Sequence, residues 1–388
     1  MQITEFQHKI KAEERFFMKE AILKTLKWIG IILAALVGCM IILILLLTIF
    51  EFRPKATQNI ELKGNGDSKI ELGVPLTIMT WNTGYGALGD NADFFMDGGT
   101  MVNTASKNRV NQNLEGLASK ISEENPDFVF LQEIDTKAKR SHRINEVRFM
   151  SERFSDYQNS FAYNFKVFWS PVPGLIYAPL PGIFTGNAAT MGKINCGIMT
   201  LSKVDASSST RIQLPCPFSW PLSTVNLKRC LMVNRLPIAG SDKELVLVNL
   251  HLEAYDSGEG KIAQTKMLRD IFDAEVAKGN YVIAGGDFNQ TFSNVDLSKY
   301  PTYEGMWTPG IIDVSDFSEG TQFAMDSSEP SCRSLDKVLV GADLEHFQFY
   351  VIDGFIVSPN VKINSLKTEN AGFAVTDHNP VVMNFTLN

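Results

Sequence analysis

Polar residues stand repeatedly at the ends of apolar runs in this chain of 388 residues, and their types converge on one kind of chemistry. The clearest case is Tyr281-Val-Ile-Ala-Gly-Gly-Asp-Phe-Asn289. Its β-branched and apolar residues read as a buried strand that stops at two glycines and delivers Asp287 and Asn289 onto a loop. Gly285 and Gly286 let the backbone turn sharply and approach a ligand, while Asp287 offers an acceptor-only carboxylate and Asn289 both a donor and an acceptor. That set suits a phosphate oxygen, a metal and an attacking water, although Gly-Asp and Asn are also ordinary turn formers. The pattern recurs at Asn82, Glu133, Asn249 with His251, Asp353, and Asp377 with His378. Singly, each has a structural explanation as a turn cap, a solvated charge or a satisfied histidine. Jointly they fit hydrolysis of a phosphate ester, which resists attack through its own negative charge. Metal and donors must neutralise charge in the transition state while a base activates water, and a His beside a carboxylate can hold the tautomer this needs.

The elements that must carry these residues alternate between strand-like and helix-like runs. Leu76-Thr-Ile-Met-Thr-Trp-Asn82, Asp127-Phe-Val-Phe-Leu-Gln-Glu133, Gly197-Ile-Met-Thr-Leu-Ser202, Cys230-Leu-Met-Val-Asn-Arg-Leu236 and Glu244-Leu-Val-Leu-Val-Asn-Leu-His251 read as strands. So do Gln348-Phe-Tyr-Val-Ile-Asp353, Gly354-Phe-Ile-Val-Ser-Pro359 and a last run over 373–385. Residues 109–124 place Val110, Leu114, Leu117 and Ile121 on one helical face before Asn125-Pro126 ends it, and 261–278 form a second helix with Ile262, Leu268, Ile271 and Phe272 inward. Mixed strands and helices in this number imply a layered α/β domain with two packed sheets. The region 157–235 is richer in Pro and aromatics; Phe165-Lys-Val-Phe-Trp-Ser-Pro-Val-Pro-Gly174 reads as an ordered loop, or else as a surface for lipid or substrate.

Residues 28–50 are uncharged and dominated by Ile and Leu, a stretch long enough for a transmembrane helix. A cleaved signal peptide is the alternative, but the run is long for one and no small-x-small site precedes Arg53. Residues 1–27, with a short amphipathic helix around Phe16, Phe17, Ile22 and Leu26, hold six Lys/Arg against four Asp/Glu; this favours a cytoplasmic tail and a single-pass anchor with the rest outside. Residues 51–74 read as a linker and 75–388 as the catalytic domain. The net charge of −7, with +2 in the tail, leaves −9 elsewhere, which argues against a broad polyanion binder. Five cysteines without a C-x-x-C pair predict neither a disulfide framework nor a thiolate zinc site.

Six blocks, Thr80-Trp-Asn82, Leu131-Gln-Glu133, Asn249-Leu-His251, Gly286-Asp-Phe-Asn289, Ile352-Asp-Gly-Phe-Ile-Val-Ser358 and Thr376-Asp-His378, together resemble the endonuclease/exonuclease/phosphatase superfamily. That superfamily includes deoxyribonucleases, inositol polyphosphate phosphatases and neutral sphingomyelinases. The resemblance implies a four-layer sandwich of two mixed β-sheets flanked by helices, and metal-assisted cleavage of a phosphate ester. It implies Glu133 as main ligand for Mg²⁺, or Mn²⁺, with Asn82 beside it and Asp377 near the metal or a second one. Asp287 would position or deprotonate the water, Asn289 and His251 bind the phosphoryl oxygens, and His378, oriented by Asp353, act as base or phosphate partner. The chain departs from the family at Val351-Ile-Asp-Gly354, where relatives carry Arg-Ile-Asp-Tyr. Ser334-Leu-Asp336 therefore competes with Asp353 for the His378 partner, and the glycine-rich 87–100 is longer than the family leads one to expect. The substrate is a lipid headgroup ester or a nucleic acid, and nothing specifies a protein partner. A catalytically inactive binding module on the same fold is the remaining reading.

Overall fold

The computed structural model describes residues 2–173 and 190–388, so Gly174 and the Pro-rich stretch up to 189 lie outside the described residues. Residues Met1–Phe50 and Glu51–Asn388 form two separate compact units. The first is one continuous helix, α1 (Gln2–Ile49), and not a short amphipathic helix followed by an apolar one. Without a Gly-Pro break between the polar and apolar halves, the helical hydrogen bonds run straight through. By length and composition it can cross a membrane.

In the second unit, apolar strand sequences gather in two mixed sheets. The six-stranded sheet runs β16 (Val361–Thr368), β17 (Val381–Leu387), β2 (Pro75–Asn82), β3 (Phe128–Asp135), β5 (Thr190–Ser202), β4 (Gln158–Pro173). The seven-stranded sheet runs β1 (Thr57–Ile60), β6 (Ser208–Gln213), β7 (Cys230–Pro237), β8 (Glu244–His251), β9 (Tyr281–Asp287), β15 (Asp353–Val357), β12 (Gln322–Ala324). Two short ribbons accompany them, β10 (Gln290–Phe292) with β11 (Gly310–Ile312) and β13 (Cys332–Arg333) with β14 (Phe349–Tyr350).

Three expectations change. Phe165 to Pro173 extend strand β4 against β5 and do not form a loop; β4 is the edge strand of its sheet. Within 51–74, Thr57–Ile60 pairs with β6 and belongs to the sheet. Asp353 begins strand β15 and does not end the run before it.

Each sheet is built around a parallel pair joined through a helix. β2 and β3 are connected across α2 (Lys107–Glu124), and β8 and β9 across α4 (Glu259–Val276). Parallel neighbours need such a crossover, and it brings both strand ends to the same edge of the sheet. The Ser106 hydroxyl caps α2 by accepting from Arg109 N at 3.2 Å, and Asn125 ends it with φ 46°. Between the sheets lie Ile78, Phe128, Phe130 and Phe385 from one side and Leu247, Ile283, Phe355 and Val357 from the other, all buried. Val110, Leu114, Leu117 and Ile121 of α2 cover the outer face of the first sheet; Leu268 and Phe272 of α4 cover the second. Four layers result, and a short helix, α3 (Glu146–Arg153), packs beside β3.

Candidate active site

The tips of the two parallel pairs meet at one end of the sandwich. Asp287, the last residue of β9, is the meeting point: its Oδ2 accepts from Asn82 Nδ2 at 3.0 Å, with His251 Nε2 at 3.5 Å and His378 Nε2 at 3.8 Å. Asn82 Nδ2 also reaches Glu133 Oε1 at 3.3 Å, and His251 Nε2 lies 4.0 Å from the same oxygen. Gly286 is obligatory beneath this point, because with φ 147° a side chain would run into the Leu250 carbonyl of the neighbouring strand. Gly84 does similar work, since a Cβ there would sit 3.0 Å from Asp377 Oδ1.

Glu133 and Asn289 adopt left-handed backbone, φ 52° and 50°. Such conformations cost non-glycine residues on the order of 1–3 kcal/mol and gather where geometry matters more than stability. For Glu133 the cause is visible. The β3–β5 register shifts between Leu131 and Ile134, a bulge that re-aims the intervening side chains. Asn289 is anchored through its backbone N to Asp287 Oδ1 and its Nδ2 to the Leu252 carbonyl, both at 2.9 Å.

The competition between two aspartates resolves in favour of Asp353, whose Oδ2 meets His378 Nδ1 at 2.8 Å and accepts from Ser331 Oγ at 2.8 Å. Asp336 instead accepts from its own neighbour Ser334 at 2.5 Å. Glu133, His251, Asp287, Asn289, Asp377 and His378 all line one cleft of about 480 Å³. Asn82 and Asp353 support it from beneath. Asn249 does not join them: buried between the sheets, it accepts from Gln132 Nε2 and donates to the Met199 carbonyl, each at 2.9 Å.

The two histidines are driven in opposite directions. Burial, with the Arg229 charge nearby, pushes His251 well below the ordinary histidine range. Burial also opposes a charge on His378, but the Asp353 carboxylate outweighs it and holds that ring well above the ordinary range. Burial and the neighbouring Asp353 push Asp287 up to about 7. Burial, reinforced by Asp377, raises Glu133 although Arg140 opposes it. Carboxylates made reluctant to ionise by one another fit a hard divalent cation, which supplies the missing positive charge and takes oxygen ligands. Glu133 and Asp377 offer such oxygens in the cleft. Asn82 turns its nitrogen to the carboxylates, and its oxygen accepts from Gly84 N at 3.0 Å. The tightest groups of ligating atoms among the described residues are Asp287–Asp353–His378 and Cys332–Asp377–His378, each within 4.8 Å.

Several contributors escaped sequence reasoning. Arg140 binds Asp135 through two bonds of 3.1 and 3.0 Å and lies 3.6 Å over the Tyr85 ring, and Arg229 pairs with Glu253 at 3.2 Å. The walls of the cleft, from Phe94, Phe95, Met96 and Asp97 through Leu222 to Tyr255 and Trp307, sit on loops with no periodic signal. Only the surplus length and glycine content of 87–100 hinted at them.

Residues 79–378 match the model of the Endonuclease/Exonuclease/phosphatase family. No curated protein matches the chain by sequence. Among solved structures, an endonuclease/exonuclease/phosphatase from Beutenbergia cavernae DSM 12333 is similar at 16% identity, covering 81% of this chain and 72% of that one with a TM-score of 0.50. One from Bacteroides vulgatus follows at 14% identity, coverage 81% and 100%, TM-score 0.49. The human Nocturnin catalytic domain with bound sulfate is similar at 16% identity, coverage 85% and 97%, TM-score 0.47.

Proposed function

The chain belongs to the endonuclease/exonuclease/phosphatase family, whose members hydrolyse phosphate esters, and from that premise we propose that it is a divalent-metal-dependent phosphoesterase. One observation carries this reading: a single carboxylate oxygen, Asp287 Oδ2, is approached by an amide and two histidines, each from a separate chain segment. No structural need of the fold calls for that convergence, whereas water activation beside phosphate does.

Glu133 and Asp377 would hold a divalent cation, Mg²⁺ in the first instance, and it would supply positive charge against the phosphate oxygens. Asp287, poised near neutrality, takes the proton of the attacking water as its oxygen bonds to phosphorus. The ester oxygen leaves with its bonding electrons. His378, kept charged by Asp353, faces the negative charge that develops. His251, kept neutral, and Asn289 orient the phosphoryl oxygens. Asn82 holds Glu133 and Asp287 in register through its amide nitrogen.

The acidic chain, without a free lysine or arginine along the cleft among the described residues, favours a lipid headgroup ester over nucleic acid. Residues 28–50 of α1 serve as a single-pass anchor with 51–388 outside the cell, a reading supported by the helix's length and apolarity and by the basic tail before it. Protease treatment of intact cells then removes the catalytic unit, and full protection refutes that orientation. The enzymatic reading is tested by a panel of phosphate esters with and without chelator. Turnover that vanishes with chelator and returns with Mg²⁺ supports it; none on any ester leaves a binding module.

A further inference from the structure

Beyond the reacting centre, the cleft has a second polar feature that the mechanism does not use. Asp97, on the glycine-rich loop after β2, accepts from the Tyr255 hydroxyl at 2.8 Å. Tyr255 sits on the loop after β8, so this bond joins the two sheets' loops along one side of the cleft. Among the described residues no positive side chain pairs with Asp97. Of the arginines lining the cleft, Arg140 is turned onto Asp135 and Arg229 onto Glu253. Arg333 donates to the Gly89 carbonyl at 2.7 Å. No lysine is among the described lining residues. Burial, reinforced by Asp377 and Glu133, pushes the Asp97 carboxyl up to about 7 even though the Tyr255 bond opposes it. A metal on Glu133 and Asp377 would remove their share of this effect and leave the burial of Asp97 unanswered.

Phe94, Phe95 and Tyr255 line the same cleft as Asp97, and so does Trp307, over whose ring Lys261 Nζ lies 5.7 Å from the centroid. Asn164 lines it too, 1% exposed, and its side-chain carbonyl oxygen has no hydrogen-bond partner. A carboxylate, an unanswered carbonyl and ring faces make an environment for an organic cation, because ring quadrupoles attract ammonium groups and quaternary ones need no donor bonds. Phosphate and ammonium on one molecule would satisfy both ends of the cleft.

We propose that Asp97, Tyr255 and the aromatic wall form a seat for the ammonium group of a phosphate diester, an inference that rests on the phosphoesterase reading above. The substrate class is therefore a zwitterionic diester, not a polyanion.

The test uses the full chain with Mg²⁺ and compares kcat/KM for p-nitrophenyl phosphorylcholine with that for p-nitrophenyl 3,3-dimethylbutyl phosphate, which replaces nitrogen by carbon at the same shape. The expected ratio is about tenfold or more in favour of the cation, falling to about one in Asp97→Asn and part of the way in Tyr255→Phe. Each ratio is taken within one preparation, so a loss of folded protein cancels. A ratio near one in the parent protein, or an unchanged ratio in Asp97→Asn, overturns the seat. So does an Asp97→Asn variant that shifts only the Mg²⁺ concentration for half activity, which would make Asp97 part of the metal site. Phosphatidylcholine against phosphatidylglycerol vesicles, and glycerophosphocholine against glycerophosphoglycerol, carry the comparison to lipid and to soluble esters. Preference for choline in either pair supports the seat and identifies its source, while preference in neither overturns it. Absence of turnover on all of these and on bis(p-nitrophenyl) phosphate is a different failure, because it removes the phosphoesterase itself.

Discussion

Where the floor of the cleft is assembled from strand tips, its walls hang from loops, and the two differ in chemistry as well as in origin. Floor residues are buried, hydrogen-bonded to one another and locked by sheet pairing: His251 lies opposite Asp287, and Asp287 opposite Asp353, in adjoining strands. Wall residues such as Met96, Leu222 and Tyr255 are 46%, 57% and 43% exposed. A group fixed by a backbone ladder cannot drift, which suits bond making; a group on a loop can be exchanged without disturbing the ladder, which suits choice of substrate. Under the proposed function the floor sets the reaction and the walls set the substrate.

Substitution series test this contrast. The largest effect is expected at the floor: Asp287→Ala and His378→Ala each lower kcat/KM by about 10²–10⁴-fold, measured by steady-state kinetics. A wall variant that did as much would erase the distinction. Next comes the floor's support. Asp353→Asn lowers kcat by roughly 10–10²-fold, and because Asp353 keeps His378 charged, its activity is also lost at lower pH as pH rises. An unshifted pH profile would mean Asp353 only packs. Smaller again, Leu222→Ala and Phe94→Ala raise KM by about three- to tenfold with kcat changed less than about twofold, the mark of contacts made equally in ground and transition states.

The smallest effect appears in stability. Asp287 binds its proton more tightly folded than unfolded, with a value pushed from 3.8 to about 7. Its contribution is therefore full below 3.8 and is lost as pH rises through about 7. In metal-free protein, melting temperature should fall from about pH 5 to 7.5 by a component that Asp287→Asn removes and saturating Mg²⁺ offsets. Wall variants should leave that slope intact.

The same contrast explains what could be read from residues alone. Floor positions announce themselves locally, because a run such as Val282-Ile-Ala-Gly-Gly must stop somewhere and what stops it is polar. The face of α2 and the two-sheet architecture follow equally from local pattern. Partnerships across the chain do not. Asp353 is chosen over Asp336 by Ser331, 22 positions away, and by strand β15 pairing with β9. The Asp97–Tyr255 bond joins residues 158 positions apart on unpatterned loops. Edge strand β1 was hidden for a related reason: its four residues, Thr-Gln-Asn-Ile, are mostly exposed, so hydrophobic alternation never marks them.

The closing strand gives the molecule an order of events. His378 precedes β17, which zips antiparallel onto β2, and the Trp81 indole fastens the His378 carbonyl at 2.8 Å across 297 positions. Glu133 is synthesised well before that histidine. Contacts so distant along the chain form late and slowly, so under the proposed function ester hydrolysis waits for β17 to pair with β2.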